Sequence, residues 1–239
     1  MHSVSHLPLL ILAGGLGRRL RGAVPDRPKP MAPVAGKPFA EWLLLALRDQ
    51  GVRRFVFCTG HLADTIVEHF GDGRAWEVEI GYSRETVPLG TGGALALAAR
   101  TLEADRFFAV NGDSYCAVDL ARLLRLHIER RARGSLWLLP AEDSSRYGSV
   151  EIASGGEILA FREKSSQAGA GLVNAGVYVF ERRVGEAVPA DRPVSLETEI
   201  LPTLAGNGLY GVVGEGPLLD IGTPEAYATA EDFFLSASR

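Results

Sequence analysis

Hydrophobic residues along the chain fall alternately into short continuous runs and into runs with helical spacing. The continuous apolar runs predict strands at Pro8–Ala13, Arg54–Thr59, Phe107–Asn111, Ser135–Leu139, Val173–Phe180 and Leu209–Val213. Apolar positions at a helical period predict helices at Phe39–Gln50, Ala63–Phe70, Gly93–Thr101, Asp119–Arg133 and Pro224–Ser236. Strands that alternate with helices are typical of a parallel sheet covered by helices, so we expect an α/β fold.

The segment from 149 to 162 has a different pattern. Ser149–Ala153 and Glu157–Arg162 are short runs on either side of Ser154-Gly155-Gly156. Two runs around a glycine-containing turn predict a β-hairpin, so we expect part of the sheet to be antiparallel. The chain has no internal repeat and no linker, and 46% of its 239 residues are apolar, which is enough for one large core. We therefore expect a single domain, residues 1–239.

The composition of the chain predicts the cellular location of the protein. No apolar stretch approaches the roughly 20 residues needed to cross a bilayer, and the N-terminus lacks the residue order of a signal peptide. We therefore expect a cytoplasmic protein with no membrane partner. The two cysteines, Cys58 and Cys116, are too few for a disulfide framework or a zinc site, and we expect both thiols to be inert.

A glycine-rich segment follows the first predicted strand. Residues 12–20 read Leu-Ala-Gly-Gly-Leu-Gly-Arg-Arg-Leu, and glycines let backbone N–H groups approach an anion without a Cβ in the way. Six basic residues and one acidic residue lie between Arg18 and Lys37, although the whole chain has a net charge of −4. A local basic site in an acidic protein indicates a small phosphorylated ligand and not nucleic acid.

Two common nucleotide motifs do not fit this segment. The Walker motif ends in Gly-Lys-Ser/Thr, which is absent here, and the dinucleotide fingerprint needs a third glycine where this chain has Leu20. Taken alone, the segment is equally compatible with a glycine-rich turn followed by a solvated basic loop. Residues further along the chain bear on this choice.

Two aspartates are candidates for a metal site. Asp113 follows the predicted strand that ends at Asn111, and ligands collect beyond the carboxyl ends of strands in an open α/β sheet. Mg²⁺ binds one or two carboxylates together with phosphate oxygens and water, and Asp220, before the last predicted helix, is a candidate second ligand. Either aspartate could instead stabilise a turn or cap a helix.

A third group of residues bears on the base of a nucleotide ligand. Glu85 precedes the run Pro-Leu-Gly-Thr-Gly-Gly-Ala at 88–94, whose glycines let a planar group lie against the backbone. A carboxylate only accepts hydrogen bonds, and the Watson–Crick edge of guanine presents two adjacent donors, so Glu85 favours guanine over uracil or thymine. The alternative is a surface glutamate beside a helix N-terminus.

Together these motifs resemble the sugar-1-phosphate nucleotidyltransferases. Seven segments match the family in order over nearly the whole chain, namely Leu12–Leu20 with Lys29-Pro30, Gly36-Lys37-Pro38, Gly90–Ala94, Asn111-Gly112-Asp113, Glu163-Lys164, residues 174–178 and residues 220–225. Within the family, residues 29–34 and Glu85 are most similar to D-glycero-α-D-manno-heptose 1-phosphate guanylyltransferases, and mannose-1-phosphate guanylyltransferases share much of this pattern. The resemblance implies a Rossmann-like three-layer α/β fold with a mixed, mostly parallel sheet. It also implies a nucleotide-binding part at about 1–115 and a sugar-binding part at about 116–225.

The resemblance also implies a reaction. In this family a phosphate oxygen of a sugar 1-phosphate attacks the α-phosphorus of a nucleoside triphosphate, which releases pyrophosphate and leaves a nucleotide sugar. For this chain it implies GTP and a sugar 1-phosphate, most closely the heptose phosphate, as substrates and Mg²⁺ as cofactor. The alternatives are mannose 1-phosphate as the acceptor, UTP as the donor, or a non-catalytic sensor that binds a nucleotide sugar.

The residues that the resemblance carries over form three sets. The nucleotide set is Leu12, Ala13, Gly14, Gly15, Gly17, Glu85, Gly90 and Thr91. The catalytic and metal set is Arg19 at the leaving phosphates, Lys29 at the α-phosphate, and Asp113, which is also catalytic, with Asp220 at Mg²⁺. The sugar-phosphate set is Tyr147, Gly148, Glu163, Lys164, Asn174, Ala175 and Gly176.

The chain departs from the family pattern in two places. Arg18 stands where relatives have threonine or serine, so a hydroxyl that could bond a phosphate oxygen is missing. After Glu163-Lys164 the chain continues with the loop 165–171, where many relatives have proline. Dimerisation through exposed apolar helix faces is compatible with the family, although no stretch of the sequence specifies it.

Overall fold

The computed structural model describes residues 3–15, 17, 20, 22, 24–145, 147–162 and 169–237. In chain order, strands β1 to β13 are Pro8–Leu12, Pro33–Val34, Lys37–Pro38, Arg54–Thr59, Glu79–Arg84, Arg106–Asn111, Ser114–Cys116, Gly134–Ala141, Ser149–Ile152, Ile158–Arg162, Gly171–Glu181, Leu209–Val213 and Leu218–Asp220. Helices α1 to α8 are Phe39–Asp49, Ala63–Phe70, Gly90–Ala99, Leu120–Glu129, Arg182–Glu186, Leu201–Leu204, Pro224–Ala228 and Ala230–Ala237. Short 3-10 helices occupy Val4–His6, Lys29–Met31 and Arg74–Trp76, and Leu196–Ile200 form a π-helix.

The central sheet is mixed and mostly parallel. Its strands follow the order β12, β8, β11, β6, β1, β4 and β5, and the β9–β10 hairpin joins it beside the first half of β11. Strand β11 runs antiparallel to β6 and to β8, whereas the pairs β12–β8, β6–β1, β1–β4 and β4–β5 are parallel. The predicted fold class and the predicted hairpin are therefore confirmed.

Hydrophobic side chains cover both faces of the sheet. Successive residues of a strand point to opposite faces. Accordingly, Leu9 and Ile11 of β1 belong to one buried cluster, and Leu10 belongs to another that contains Leu95 of α3. This arrangement gives the three layers that the family resemblance implies.

A smaller cluster ties the loop after β1 to the end of the chain. It contains Leu20 from that loop, Phe39 from α1, Leu219 from β13 and Phe234 from α8. The ring of Phe234 stacks on Trp42 with ring centroids 4.7 Å apart. Because the loop after β1 carries candidate phosphate residues and β13 carries Asp220, this packing fixes their relative positions.

Several elements were not predicted. Strand β5 has only partly buried apolar residues, Ile80 and Tyr82, with Gly81 between them, so its pattern is weak at this edge of the sheet. The short strands β7 and β13 pair with each other outside the main sheet. Helices α5 and α6 and the π-helix also lie in a stretch with no clear periodicity, because each is only four or five residues long.

Two predicted helices differ from their expected extent. Helix α4 stops at Glu129 and not at Arg133, because Arg131 adopts a left-handed conformation with φ 48° where the chain turns towards β8. The predicted helix Pro224–Ser236 is interrupted at Thr229 and forms α7 and α8. In the part of the chain described, no helix has both the length and the apolar character needed to span a membrane.

Candidate functional site

A cleft of about 460 Å³ opens where β1 and β6 end. Every member of the predicted nucleotide set lines it, and so do Lys29 and Asp113. Parallel neighbouring strands bring their carboxyl ends to one edge of a sheet, and here that edge also receives the N-terminus of α3 at Gly90. The tertiary structure thus gathers residues that are far apart in sequence.

One end of this cleft holds a lysine between two aspartates. The Lys29 Nζ lies 2.5 Å from Asp113 Oδ2 and 3.8 Å from Asp220 Oδ1. Lys29 is mostly buried, with a side-chain exposure of 12%, whereas the Asp113 side chain is 36% exposed. The ammonium group balances carboxylates that would otherwise repel each other and any phosphate nearby.

Local structure explains why the two aspartates meet. Asp113 lies two residues after the end of β6, and Asp220 is the last residue of β13. Strand β13 pairs with β7 so that Asp220 is opposite Ser114, and the Ile221 N–H donates to the Asp113 carbonyl at 3.0 Å. The Asp220 carboxylate also accepts from the Gly222 N–H at 2.7 Å, which holds its orientation.

The donor set suits a magnesium ion that arrives with a substrate. Mg²⁺ prefers oxygen ligands and takes one or two carboxylates with phosphate oxygens and water. Asp113 and Asp220 supply two such carboxylates. Among the described residues no group of three or more acidic, histidine or cysteine side chains forms a preformed metal cage. The site therefore fits Mg²⁺ shared with phosphates.

Glu85 lies at the other end of the cleft. It directly follows β5, and its Oε2 accepts a hydrogen bond of 3.0 Å from the Leu89 N–H. Its Oε1 lies so close to the backbone of Gly14 and Gly60 that a Cβ on either would approach it to 2.8 or 2.5 Å. Burial raises the pKa of Glu85, while the Leu89 bond opposes that rise. Glu85 is thus a half-buried carboxylate packed against the backbone at Gly14 and Gly60. Only glycine at these two positions leaves room for it.

The predicted sugar residues on β11 lie next to this cleft. Strand β11 bulges between Asn174 and Tyr178, where its register with β8 shifts, and Gly176 in the bulge has φ 75°. A Cβ on Gly176 would come within 2.9 Å of the Asn111 amide, so glycine permits this approach. Asn111 lines the cleft, which connects the bulge at 174–176 to the nucleotide residues.

Other predicted residues lie elsewhere. Tyr147 and Gly148 are in the loop after β8, where both N–H groups donate to the Ser144 carbonyl, and they do not line the cleft. Arg19, Glu163 and Lys164 lie outside the described residues, as does Arg18. Their predicted contacts with the leaving phosphates and the sugar phosphate stay predictions.

Glu197 is a cleft residue that the sequence analysis missed. It lies in the π-helix and lines the cleft, and the Thr91 hydroxyl donates to its Oε2 at 2.7 Å. The local signal is Ser195, whose hydroxyl accepts a hydrogen bond from the Thr198 N–H and so caps the N-terminus of the helix. That signal does not show that the helix meets the N-terminus of α3, so the cleft carboxylate could not be found from sequence.

Both cysteines are buried, as expected for inert thiols. Burial raises the pKa of each thiol to about 12. For Cys58, the negative charge of Glu85 also contributes to the rise in pKa. A thiol with such a pKa stays protonated at neutral pH and is a poor nucleophile.

Two known proteins are similar in sequence to most of this chain. The chain is 38% identical over 221 residues to a mannose-1-phosphate guanylyltransferase of Mycobacterium tuberculosis, a match that covers 91% of this chain and 62% of that protein. It is 35% identical to a D-glycero-α-D-manno-heptose 1-phosphate guanylyltransferase of Aneurinibacillus thermoaerophilus, with coverage of 93% and 96%. The chain thus spans less than two thirds of the first relative and nearly all of the second.

A solved structure has the same architecture. HddC from Yersinia pseudotuberculosis, crystallised with GMP-PN, superposes with a TM-score of 0.83 at 32% identity and covers 95% of this chain and 99% of that one. The model of the family described as nucleotidyl transferase matches residues 9–237. This match extends from the first strand to the last helix and includes both ends of the cleft. The chain is therefore a member of the nucleotidyl transferase family.

Proposed function

We propose that this protein transfers a guanylyl group from GTP to D-glycero-α-D-manno-heptose 1-phosphate with the help of Mg²⁺, and so forms GDP-heptose and pyrophosphate. The observation that carries the proposal is one cleft lined by Lys29, Asp113 and Glu85, with the Asp220 carboxylate 3.8 Å from the Lys29 ammonium. Such a cleft offers charge neutralisation for phosphates and an acceptor for a base. A reaction that consumes GTP also fits the cytoplasmic location expected from the sequence.

The cleft suits a reaction that depends mostly on how the two substrates are positioned and on how the charge of their phosphates is neutralised. The attacking phosphate oxygen is already an anion, so no general base and no covalent intermediate are required. The main barrier is the repulsion between two phosphate groups, and cations fixed in a partly dry cleft reduce it. Lys29 is such a cation, because it is mostly buried and held by two carboxylates.

Asp113 and Asp220 would hold the magnesium ion. When bound, Mg²⁺ supplies positive charge to phosphate oxygens and helps to orient them. The Lys29 ammonium, which now bridges these carboxylates, would then be free to face the α-phosphate. The backbone of the loop after β1, with Gly15 and Gly17 in the cleft and Gly17 beside Lys29, provides room for the phosphates without side-chain obstruction.

Glu85 supports guanine as the base. An ionised carboxylate presents only acceptors, which match the N1–H and 2-amino donors of guanine. Uracil and thymine present an acceptor on either side of N3–H, and these oxygens would face the Glu85 carboxylate unfavourably. The relatives named as guanylyltransferases agree with this choice.

Mannose 1-phosphate is the second candidate acceptor. The relative from Mycobacterium tuberculosis, named as a mannose-1-phosphate guanylyltransferase, is 38% identical to this chain, and the heptose relative is 35% identical. The heptose phosphate is preferred because residues 29–34 and Glu85 are most similar to the heptose 1-phosphate guanylyltransferases. The two sugars differ by one hydroxymethylene extension, so the same cleft chemistry serves both.

The test is pyrophosphate release with Mg²⁺, in which GTP, UTP, ATP, CTP and dTTP are each combined with heptose, mannose and glucose 1-phosphates. We expect turnover with GTP and the heptose phosphate, and none when the sugar phosphate is omitted. Turnover with GTP and mannose 1-phosphate alone would select the second candidate. Tight nucleotide-sugar binding without turnover for any pair would instead establish a sensor and refute the proposed activity.

A further inference from the structure

The side chain of Tyr178 lies where the cleft meets the bulge of β11. Tyr178 is fully buried, and its ring stacks on Phe180 with ring centroids 5.5 Å apart. Pairing with Ala109 of β6 and Leu136 of β8 fixes its place in the sheet. The ring therefore packs in the core, whereas its hydroxyl is a buried polar group that packing alone does not require.

On one side this hydroxyl binds the amide of Asn174. Asn174 Nδ2 donates to Tyr178 Oη at 2.8 Å, and Asn174 Oδ1 accepts from the Gly176 N–H at 3.0 Å. Both polar atoms of the amide are thus committed, which sets the orientation of the side chain. Because Asn174 belongs to the predicted sugar-phosphate set, the Tyr178 hydroxyl holds a residue of the predicted acceptor site.

The same hydroxyl also binds the amide of Asn111. Burial raises the pKa of Tyr178, and hydrogen bonds from Asn174 and Asn111 oppose that rise. The geometry of the bulge agrees, because a Cβ on Gly176 would come within 2.9 Å of Asn111 Nδ2. Asn111 ends β6, pairs with Leu12 of β1 and lines the cleft. Tyr178 therefore also holds a residue on the nucleotide side.

The orientation of Asn111 depends on this hydroxyl. In the part of the chain that the structure describes, Asn111 Oδ1 is buried and has no hydrogen-bond partner. An amide oxygen of this kind does not orient the side chain, so the nitrogen end must do so. Without the Tyr178 hydroxyl, the Asn111 amide would lose the bond that fixes its direction at the edge of the cleft.

One oxygen can serve both amides because a hydroxyl group has two acceptor lone pairs. A displacement of either amide then changes the bond that the other one makes. We infer that the Tyr178 hydroxyl is a shared acceptor that positions Asn111 and Asn174 together, and so aligns the GTP site with the sugar 1-phosphate site. Tyr178 is a positioning residue, since it does not line the cleft itself. The inference rests on the proposed function, which supplies the two substrates.

The first test is Tyr178→Phe, which keeps the ring and removes only the hydroxyl. We expect the KM for GTP and the KM for the sugar 1-phosphate each to rise by about 5-fold or more, because both amides lose their acceptor. The matched control is Tyr82→Phe, which removes a hydroxyl that donates to the Gly71 carbonyl at 2.7 Å, away from the cleft. The control should keep both KM values within about 2-fold of the wild type.

Double-mutant cycles distinguish positioning from a general structural effect. In an Asn174→Ala background, Tyr178→Phe should change the KM for the sugar 1-phosphate by less than about 2-fold, because the amide that it positions is already absent. In an Asn111→Ala background, the same substitution should change the KM for GTP by less than about 2-fold. A merely structural role for the hydroxyl would give losses that add in both backgrounds.

A second measurement leaves Tyr178 in place. Asn174→Ala alone should raise the KM for GTP by about 3-fold, because a hydroxyl released by one amide no longer holds the other in position. This result is expected whether or not the Tyr178→Phe variant folds, so the inference is tested in either case. An unchanged KM for GTP in Asn174→Ala would contradict a shared acceptor.

The remaining outcomes separate the inference from the reaction on which it rests. Wild-type kinetics in Tyr178→Phe, a rise in the KM of only one substrate, or full additivity in both cycles overturns the inference while the proposed function stands. If the wild-type enzyme turns over no sugar phosphate at all, the proposed function fails and the inference fails with it.

Discussion

At the scale of single residues, the site depends on charges that balance one another in a small space. Lys29 is held by Asp113 and, at a longer distance, by Asp220, and Glu85 is held by a backbone N–H against two glycines. These groups are half-buried or mostly buried, so a change of one charge is not screened as it would be on the surface. Two predictions follow from these charges.

Asp113→Asn should lower kcat by at least about 100-fold and leave much of the GTP affinity intact. The substitution removes a candidate Mg²⁺ ligand and the strongest ion pair of Lys29, whereas the base end of the cleft is unchanged. Steady-state kinetics and direct nucleotide binding test the two parts separately. Asp49→Asn, a 67% exposed carboxylate paired with Arg48, is the control. Turnover at the wild-type rate would rule out a role for Asp113 as metal ligand.

Glu85→Gln should weaken the preference for GTP over UTP by roughly 1–3 kcal/mol, or about 5- to 150-fold in the ratio of kcat/KM. The amide offers a donor as well as an acceptor, so it no longer matches the paired donors of guanine. The measurement is the ratio of kcat/KM for the two nucleotides. Glu79→Gln, at an exposed position on β5, the strand that precedes Glu85, should leave the ratio unchanged. An unaltered ratio in Glu85→Gln would contradict the guanine assignment.

At the scale of elements, a buried polar network joins α4, β8 and β11. His127 Nδ1 is 3.0 Å from Ser135 Oγ, and its Nε2 is 3.3 Å from Glu181 Oε1. The combination of serine, histidine and glutamate resembles a catalytic triad, but His127 is only 1% exposed and Ser135 is fully buried. No substrate can reach this network, so its role is to fasten the helix to the sheet.

His127 should make stability depend on pH. Burial lowers the pKa of His127 from its usual 6.5 to about 4, although Glu181 opposes the shift. The folded protein therefore binds fewer protons than the unfolded chain between these values, so stability is full above pH 6.5 and decreases as the pH falls to 4. The expected loss is about 3 kcal/mol, measured by urea unfolding across this range.

His127→Gln should remove this dependence on pH, because glutamine does not titrate. His6→Gln, at an exposed position, is the control and should keep the wild-type slope. An equal slope in His127→Gln and in the wild type would mean that other groups cause the acid sensitivity.

Helix α8 should stabilise the fold mainly through the aromatic ring of Phe234. Phe234 is 3% exposed, stacks on Trp42 and packs edge-on against Tyr115 at 4.9 Å. Phe234→Ala should lower the free energy of unfolding by about 3–5 kcal/mol, since a large cavity remains. Leu235→Ala, at a neighbouring position that is 53% exposed, should cost much less. Denaturant unfolding measures both, and equal losses would contradict the assignment of Phe234 to the cluster.

At the scale of the whole molecule, the reversed strand β11 brings the predicted sugar residues beside the cleft that the predicted nucleotide residues line. Strand β11 runs antiparallel to β6, so its bulge at 174–176 lies beside the end of β6 where Asn111 meets the cleft. The predicted nucleotide residues come from the end of β1 and the loop after it, from the loop after β5 and from the start of α3, and the predicted sugar residues that the structure describes come from β11 and the loop after β8. The proposed transfer between two substrates requires the predicted nucleotide and sugar sites to lie next to each other in this way.

Much of this architecture could be predicted from the sequence. The strands of the sheet centre, β1, β4 and β6, are buried on both faces and read as continuous apolar runs, so their positions were correct within a residue or two. The edge strand β5 and the short helices between 182 and 204 were not predictable, because only partial burial or a few residues define each of them.

The sequence by itself determined the chemistry of the individual segments. A glycine-rich turn before a basic stretch, an aspartate after a buried strand and a glutamate before a glycine-rich helix start are local features, and local sterics and hydrogen-bonding capacity decide what each can bind. Tertiary structure decided which segments meet. Lys29 and Asp113 are separated by 84 residues, and Thr91 and Glu197 by 106. Only strand pairing and packing bring such positions together, which is why Glu197 emerged from the fold and not from the sequence pattern.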